Sequence, residues 1–513
     1  MKKYTKLILV LIFCLALFLR LYKLIEVPPG LYIDEVSIGY NAYSILKNGV
    51  DEHGRKYPLW FEAFGEYKLP VYIYLTTMSI VVFGKNEFAV RFPSAFFGSL
   101  SILAFYFLIK EIFTSRLAGN KFFKNQALNI ALLSSFLLAI SSWHLQLSRP
   151  GFEVNLALTF FIFGSLFSVL FWKKGKMVNL FLGFLFFILT FYTYNSFRII
   201  TPIYLVFLSI VLLLKYPQKR KEILCIGLLF LILSLPMINF SFSSGGRARF
   251  LATTAFNIDD KQSFIDKWSD FFFVFLQNFF AHFSLNFLFN SGDHIGRHGL
   301  REFGVLAKWQ LPFLFLGFFT MFKNRKTALS KLLGSLLILS PIPAALTTPS
   351  PHCLRSFLLI LPLEILIAVG IIYLWVTLKN KWRISIFTFI CLLSLYEFIF
   401  YLHYYYVHYP KTNIIEWGAG YKQVVEKVCQ YKDKYEAIVV NNQLGHPYIY
   451  FLFYNDQIQP IFIQPGWEKP KDLKNKPLLY VTNSVDKPSE KMLDIIYLPN
   501  SPNKDIFARL WEI

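Results

Sequence analysis

"LLFLILSLPMINF" (228–240), entered from the basic stretch "KYPQKRK" (215–221), carries the reading that decides the fold. A second block, "LILVLIFCLALFL" (7–19), follows Lys2, Lys3 and Lys6 in the same way. Apolar blocks approaching the ~20 residues needed to cross a bilayer read as transmembrane helices. The whole chain repeats the pattern. Its 513 residues are 55% hydrophobic and 16% charged, whereas a soluble protein carries about a quarter charged residues. The first apolar run continues past Leu19 with no small-x-small cleavage site before the polar loop, so it reads as a retained helix and not a signal peptide.

The formal charge is +21, which raises nucleic acid as a partner, but its distribution excludes that class. Lysine and arginine gather in short breaks between apolar blocks: "KKGK" (173–176), "KYPQKRK", "KNRK" (323–326) and "KNKWR" (379–383). Short basic loops of this kind mark the cytoplasmic side of a membrane protein, and no basic stripe with base-stacking aromatics accompanies them. The five cysteines, Cys14, Cys225, Cys353, Cys391 and Cys429, form no CxxC pair, which leaves neither a disulfide framework nor a cysteine zinc site. By this reading only Cys353 and Cys429 face outside, where they could pair.

With the basic loops held inside, spans fall near 7–25, 91–113, 127–143, 153–172, 177–193, 198–215, 223–240, 309–322, 331–346, 356–378 and 384–402. About eleven transmembrane helices put the N-terminus in the cytoplasm and the C-terminus outside. "LPVYIYLTTMSIVVFG" (69–84) is short for a crossing and would invert the basic loops if it crossed, so an interfacial helix is expected there. The same holds for "FFFVFLQNFFAHFSLNFLFN" (271–290). The expected organisation is a transmembrane catalytic domain, 1–402, with external loops at 26–90 and 241–308. A small external C-terminal α/β domain, 403–513, follows. In it, "EAIVVNN" (436–442) reads as a strand and "GHPYIYFLFYN" (445–455) as a helix. Tyr401, Tyr404, Tyr405, Tyr406 and Tyr409 sit where the last span should end, and read as interface anchors.

Chemistry concentrates in the external pieces. Asp34 and Glu35 open an amphipathic stretch in "PPGLYIDEVSIGYNAYSIL" (28–46). Helix capping accounts for one such acid and the helix dipole for a second; a catalytic carboxylate is the other reading. Arg149, Arg198, Arg297 and Arg355 fall in external loops or at outer helix ends, where arginine binds either a phosphate bidentately or lipid headgroups. His144, His298 and His352 lie on the same side. A zinc or magnesium site joining these histidines with Glu66 has no ligand spacing to support it, so no obligatory metal cofactor is expected. Gly-rich nucleotide loops are absent, and an external site has no access to cytosolic sugar nucleotides, which favours a lipid-linked donor.

The stretch "IDEVSIGYNAYSILKNGVDEHGRKYPLWFEAFGEYKLPVYIYLTTMSIVVFGKNEFAVRFPS" (33–94) resembles the first-loop signature of bacterial family-39-type glycosyltransferases. These are relatives of the protein O-mannosyltransferases and the lipid A aminoarabinose transferase, with the GT-C membrane fold. The likeness continues in order through "SSWHLQLSRPGFEVNLAL" (141–158), "FYTYNSFRI" (191–199), "GDHIGRHG" (292–299), "PHCLRSF" (351–357) and "YYYVHYPKTNIIEWGAGYKQVVEKV" (404–428). It implies an inverting enzyme of the bacterial plasma membrane that moves a sugar from a polyprenyl phosphate to a lipid, glycan or protein acceptor on the outer face. Asp34 matches the family's first-loop aspartate, the proposed base for the acceptor hydroxyl, and Glu35 would orient the acceptor or sugar. Glu153 aligns with a second acidic position where aspartate is more familiar, a departure that lengthens the side chain. Lys68 in "GEYKLP" matches a phosphate-binding lysine, although here Tyr67 separates it from Glu66. Arg198 and Arg355 are the foremost cations for the leaving phosphate. Arg149, Arg297, Glu66, Tyr194 and His352 complete the candidate contacts to donor phosphate or sugar.

Two other classes compete. A transporter would show internal repeats and ionisable residues within its spans. No repeat is visible, and Glu364 is the exception among acids that otherwise gather outside. A non-catalytic envelope scaffold would not need Asp34, Lys68 and the arginines on one face.

Overall fold

The computed structural model describes residues 3–256, 264–441, 445–463, 477–483, 491–499 and 504–512. Residues 257–263 of the expected second loop, and several stretches of the expected C-terminal domain, including Asn442, lie outside the described residues. Two compact units are present: Met1–Tyr22, Gly65–Tyr72 and Pro93–Leu402 form one, and Lys23–Phe64, Ile73–Phe92 and His403–Ile513 the other.

The first unit is helical. Every span expected from sequence falls on a helix, from Lys3–Leu21 through Glu153–Lys174 and Arg220–Phe242 to Asn380–His403. Among the described residues nine helices are long and apolar enough to cross a membrane. A tenth arises if Ala127–Ile140 and Ser142–Ser148, bent by 58°, are one span. The count differs from eleven for two reasons. Met177–Phe191 and Leu311–Lys323 have 15 and 13 residues, and at ~1.5 Å per residue they fall short of the ~30 Å hydrocarbon core. Conversely Trp268–Asn290, expected at the interface, is long enough to cross. Pro70–Phe83 has only 14 residues, about 21 Å.

Lipid tails are as apolar as leucine, so membrane helices associate chiefly by close packing, which small residues permit. Helices Leu311–Lys323 and Ile360–Thr377 show this directly. A Cβ on Gly317 would lie 2.0 Å from the Leu366 carbonyl oxygen, and one on Gly370 would lie 2.0 Å from that of Phe313. Any larger residue at either position would push the two backbones apart.

The second unit joins the first polar loop to the C-terminal segment. Its sheet holds β1 (Ala437–Asn441), β2 (Ile461–Ile463), β3 (Leu478–Thr482), β4 (Lys491–Tyr497) and β5 (Ile506–Glu512), in the order β2-β1-β3-β5-β4. Strand β1 runs parallel to β2 and β3, and β5 antiparallel to β3 and β4. The core is shared. Leu31, Val36 and Val90 pack with Val425, Ile449, Phe453, Leu479 and Leu510, because so small a sheet buries too little apolar surface alone. Tyr405 and Tyr409, expected as interface anchors, are buried, and the Trp417 indole N–H donates to Tyr409 Oη at 2.8 Å. The five cysteines are free.

A buried ion pair orders the loop of this unit. Glu35 and Arg91 are both inaccessible to solvent. Arg91 donates Nε to Glu35 Oε1 at 2.9 Å and Nη2 to Oε2 at 3.1 Å. The same guanidinium donates to the carbonyls of Leu24 at 3.0 Å, Pro28 at 2.8 Å and Gly30. Glu35 also accepts the Tyr32 backbone N–H at 3.3 Å, capping helix Ile33–Asn48 from its third position. Arg91→Ala would strand a buried carboxylate and release three carbonyls, a loss of roughly 3–5 kcal/mol. A large fall in melting temperature in detergent is expected, with partial recovery in Arg91→Lys, which lacks the fork. Wild-type melting of Arg91→Ala would show that the pair does not hold the loop.

Candidate functional site

In the first unit, three stretches far apart in sequence meet around a cavity of about 370 Å³. The link between helices Met177–Phe191 and Phe197–Lys215 supplies Tyr194 and Arg198. Helix Ser244–Thr253, just after span Arg220–Phe242, supplies Arg247 and Arg249. Arg355 comes from the segment before span Phe357–Thr377. Arg198 donates Nη1 to Asn195 Oδ1 at 3.0 Å and Nη2 to Ser241 Oγ, and Arg355 donates Nη1 to the Thr348 carbonyl at 2.8 Å. Thr348 N–H in turn donates to the Thr253 carbonyl at 2.7 Å, tying two of the walls together.

Arg249 pairs with Glu66, whose Oε1 also lies 3.9 Å from Lys68 Nζ. Lys68 is buried and reaches the arginines through that carboxylate; it is not one of the residues lining the cavity. Tyr194 is pushed up to about 12, first by burial and further by Glu153 and Glu66, against the pull of Arg249 and Arg355. Its hydroxyl is therefore a neutral donor at physiological pH. Arg355 is lowered by burial and by Arg249. Glu153 opens helix Glu153–Lys174 and is half-buried.

A second polar group adjoins this one. Asp293, His298 and His352 are buried, with one ligand atom from each lying within 4.8 Å of the others. Asp293 Oδ2 is 3.2 Å from His298 Nδ1 and 3.7 Å from His352 Nδ1. It also accepts the Cys353 backbone N–H at 2.7 Å, while Oδ1 accepts that of Ile295 at 2.9 Å. Burial works against the Asp293 carboxylate, but the hydrogen bonds from His298 and from the Ile295 N–H outweigh it and hold its pKa below the ordinary value. Burial lowers both histidines, His352 well below the ordinary value, and the positive charge of Arg355 adds to it in each. The two rings are therefore neutral at physiological pH and His352 Nδ1 makes no hydrogen bond. A carboxylate and two neutral imidazoles form a donor set suited to a divalent ion such as zinc. In sequence, His298 and His352 stand beside Glu66 as conceivable ligands but with no metal-ligand spacing. Asp293 was not singled out, although "GDHIGRHG" holds it five residues before His298.

The remaining candidates separate. Arg149 is buried and donates to the carbonyls of Leu19 at 2.5 Å and Tyr22 at 2.8 Å, capping the C-terminal end of the first helix; it does not line the arginine cavity. Arg297 lies beside His298 and depresses that ring's pKa. Asp34 and Glu35 belong to the second unit. There Glu35 takes the capping position and the Arg91 pair, while Asp34, half-buried, precedes it in the first turn. Arg91, Arg247 and Arg249 were not foreseen. "GGRARF" directly after a span was the available signal for the latter two.

Comparisons with known proteins agree on the fold. Residues 68–240 match the family model described as dolichyl-phosphate-mannose-protein mannosyltransferase. No curated protein matches the chain in sequence. ArnT from Cupriavidus metallidurans, solved bound to undecaprenyl phosphate, superposes with a TM-score of 0.59 at 11% identity, covering 100% of this chain and 98% of that one. The Archaeoglobus fulgidus oligosaccharyltransferase AglB, in complex with an inhibitory peptide and a dolichol-phosphate, gives 0.53 at 14% identity over 90% of this chain. The chain spans 65% of that protein's length.

One pH effect follows from the lowered histidines. Below about 6.5, the ordinary histidine value, the unfolded chain takes up protons that His298 and His352 refuse, so stability falls as pH drops. Melting temperature should decline between pH 7.5 and 5, and His352→Gln should flatten the decline; a flat wild-type profile would contradict the neutral-ring assignment.

The chain is a polytopic membrane protein with the GT-C-type fold seen in ArnT and AglB, and its residues 68–240 match the family model described as dolichyl-phosphate-mannose-protein mannosyltransferase.

Proposed function

We propose that this chain is an inverting glycosyltransferase moving a sugar from a polyprenyl-phosphate donor to an acceptor on the outer face of the plasma membrane. The observation that carries the reading is the arginine cavity. Arg198, Arg247, Arg249 and Arg355 line one space, where Glu66 pairs with Arg249. Cations gathered in a partly dry pocket repel one another unless an anion lies among them. A phosphate matches the guanidinium fork, and Ile199, Phe242, Phe250 and Pro343 in the same lining suit a phosphate carried on a lipid.

In this reading Arg198 and Arg355 bind the donor phosphate and stabilise the charge that grows on it as the glycosidic bond breaks. Lys68 and Glu66 hold Arg249 in register. Tyr194 donates a hydrogen bond to phosphate or sugar. Asp34 is the base that takes the proton of the acceptor hydroxyl as its oxygen attacks the anomeric carbon. Glu35 acts through Arg91 as a positioning residue, and Glu153 acts through Tyr194. The ArnT and AglB structures hold undecaprenyl phosphate and a dolichol-phosphate, lipid phosphates of the class assigned here.

Two variants separate the roles. Asp34→Asn should cut transfer by roughly a thousandfold yet leave binding of undecaprenyl phosphate, followed by native mass spectrometry, unchanged. Arg355→Ala should weaken that binding about tenfold or more. Envelope glycans and glycolipids of cells with and without the protein, compared by mass spectrometry, identify the acceptor. Near-normal turnover in Asp34→Asn would remove it as base, and unaltered binding in Arg355→Ala would remove the phosphate site.

A further inference from the structure

An apolar groove of about 640 Å³ opens on the first unit among the first helix, helix Ala127–Ile140 and the facing ends of Ile360–Thr377 and Asn380–His403. Leu11, Leu15, Leu133, Ile371 and Trp375 line it, and Asn129 is the one polar residue in its described lining. Leu11 and Trp375 are exposed, at 58% and 41%, so the groove faces the bilayer.

A cation stands beside its rim. The Arg383 guanidinium lies 5.3 Å above the Trp375 ring, and its Nη2 donates to the Leu378 carbonyl at 2.9 Å. Lys379 and Lys381 precede it, and no acidic residue occurs between Glu364 and Glu397. An apolar trough ending at an arginine stacked on tryptophan is complementary to an acyl chain ending at a phosphate.

Two lipid phosphates share that chemistry: a polyprenyl phosphate and a glycerophospholipid. The length of one helix decides between them. Arg355 of the arginine cavity immediately precedes span Phe357–Thr377, whereas Trp375 lies near its far end. Phe357 and Trp375 are 18 residues apart (375−357), roughly 27 Å along a helix and close to the thickness of the hydrocarbon core. A lipid whose phosphate sits in the arginine cavity therefore cannot reach Arg383 with that phosphate; the groove serves the other leaflet.

We infer that this groove is a binding site for an anionic glycerophospholipid of the leaflet opposite the arginine cavity, with its acyl chain along Leu11, Leu15 and Leu133 and its phosphate on Arg383. Such a lipid fastens the N-terminal helix to the last spans without taking part in the arginine cavity.

The test uses the full chain in detergent, titrated by native mass spectrometry with phosphatidylglycerol and phosphatidylcholine of identical chains. Wild type should retain phosphatidylglycerol about tenfold better, as expected when one charge-assisted contact separates the two. Arg383→Gln should abolish the preference and Arg383→Lys keep most of it. Leu15→Trp, which fills the groove, should reduce retention of both lipids. Equal retention by wild type, or a preference that survives Arg383→Gln, would overturn the site. Displacement of phosphatidylglycerol by equimolar undecaprenyl phosphate in wild type but not in Arg383→Gln would assign the groove to the polyprenyl source and overturn it too.

Discussion

Arg91 and Glu35 form the contact on which the first loop depends. Burying a guanidinium and a carboxylate removes both from water at a cost of several kcal/mol each, so the arrangement persists only when every donor and acceptor is matched. Here the fork takes both carboxylate oxygens and spends its other donors on Leu24, Pro28 and Gly30. One side chain therefore fixes the path of the chain from the end of the first span to the start of helix Ile33–Asn48. Asp34 lies one residue before the paired glutamate, so its position in the first turn is a consequence of the pair. The Trp417 ring, 5.8 Å from the Arg91 carbon, brings the C-terminal segment onto the same centre.

Charge is handled differently in the helical unit. Around the cavity Glu66 engages Arg249 and Lys68, while Arg198 rests on Asn195 and Ser241 and Arg355 on the Thr348 carbonyl. Neutral hydrogen-bond acceptors hold the guanidinium groups in place and leave their positive field intact. Beside them, Asp293 keeps its charge through backbone N–H donors while two histidines lose theirs to burial. Positive potential and neutral imidazole nitrogen thus adjoin. That combination suits a site that must meet an anion, and a metal ion at the imidazoles would add to the same potential.

Helix ends organise both features. The cavity residues cluster where spans begin or finish, while the spans pack through glycine contacts such as Gly317 and Gly370 that permit backbones to touch. A membrane protein has little hydrophobic drive between helices, so this packing and the polar links at the ends share the work of assembly. The lipid groove at the other end of span Phe357–Thr377 occupies a place where such packing is incomplete.

The sequence by itself determined the membrane class, the placement of the spans on helices, a strand–helix pattern near 437–454, and the GT-C likeness. All of these rest on local signals: apolar run length, loop charge and ordered motifs. It singled out Arg198 and Arg355, but nothing local tied them to one cavity. Only tertiary structure decided that they meet, that Arg247 and Arg249 join them, and that Lys68 acts through Glu66. The same holds for Arg149, which reads as an external cation and is spent on the first helix, and for Tyr405 and Tyr409, which read as interface anchors and are buried. Glu35 and Asp34 are indistinguishable as a DE pair. What separates them is Arg91, 56 positions from Glu35 (91−35), and such a partner is set by how the chain packs, which periodicity along the chain does not encode.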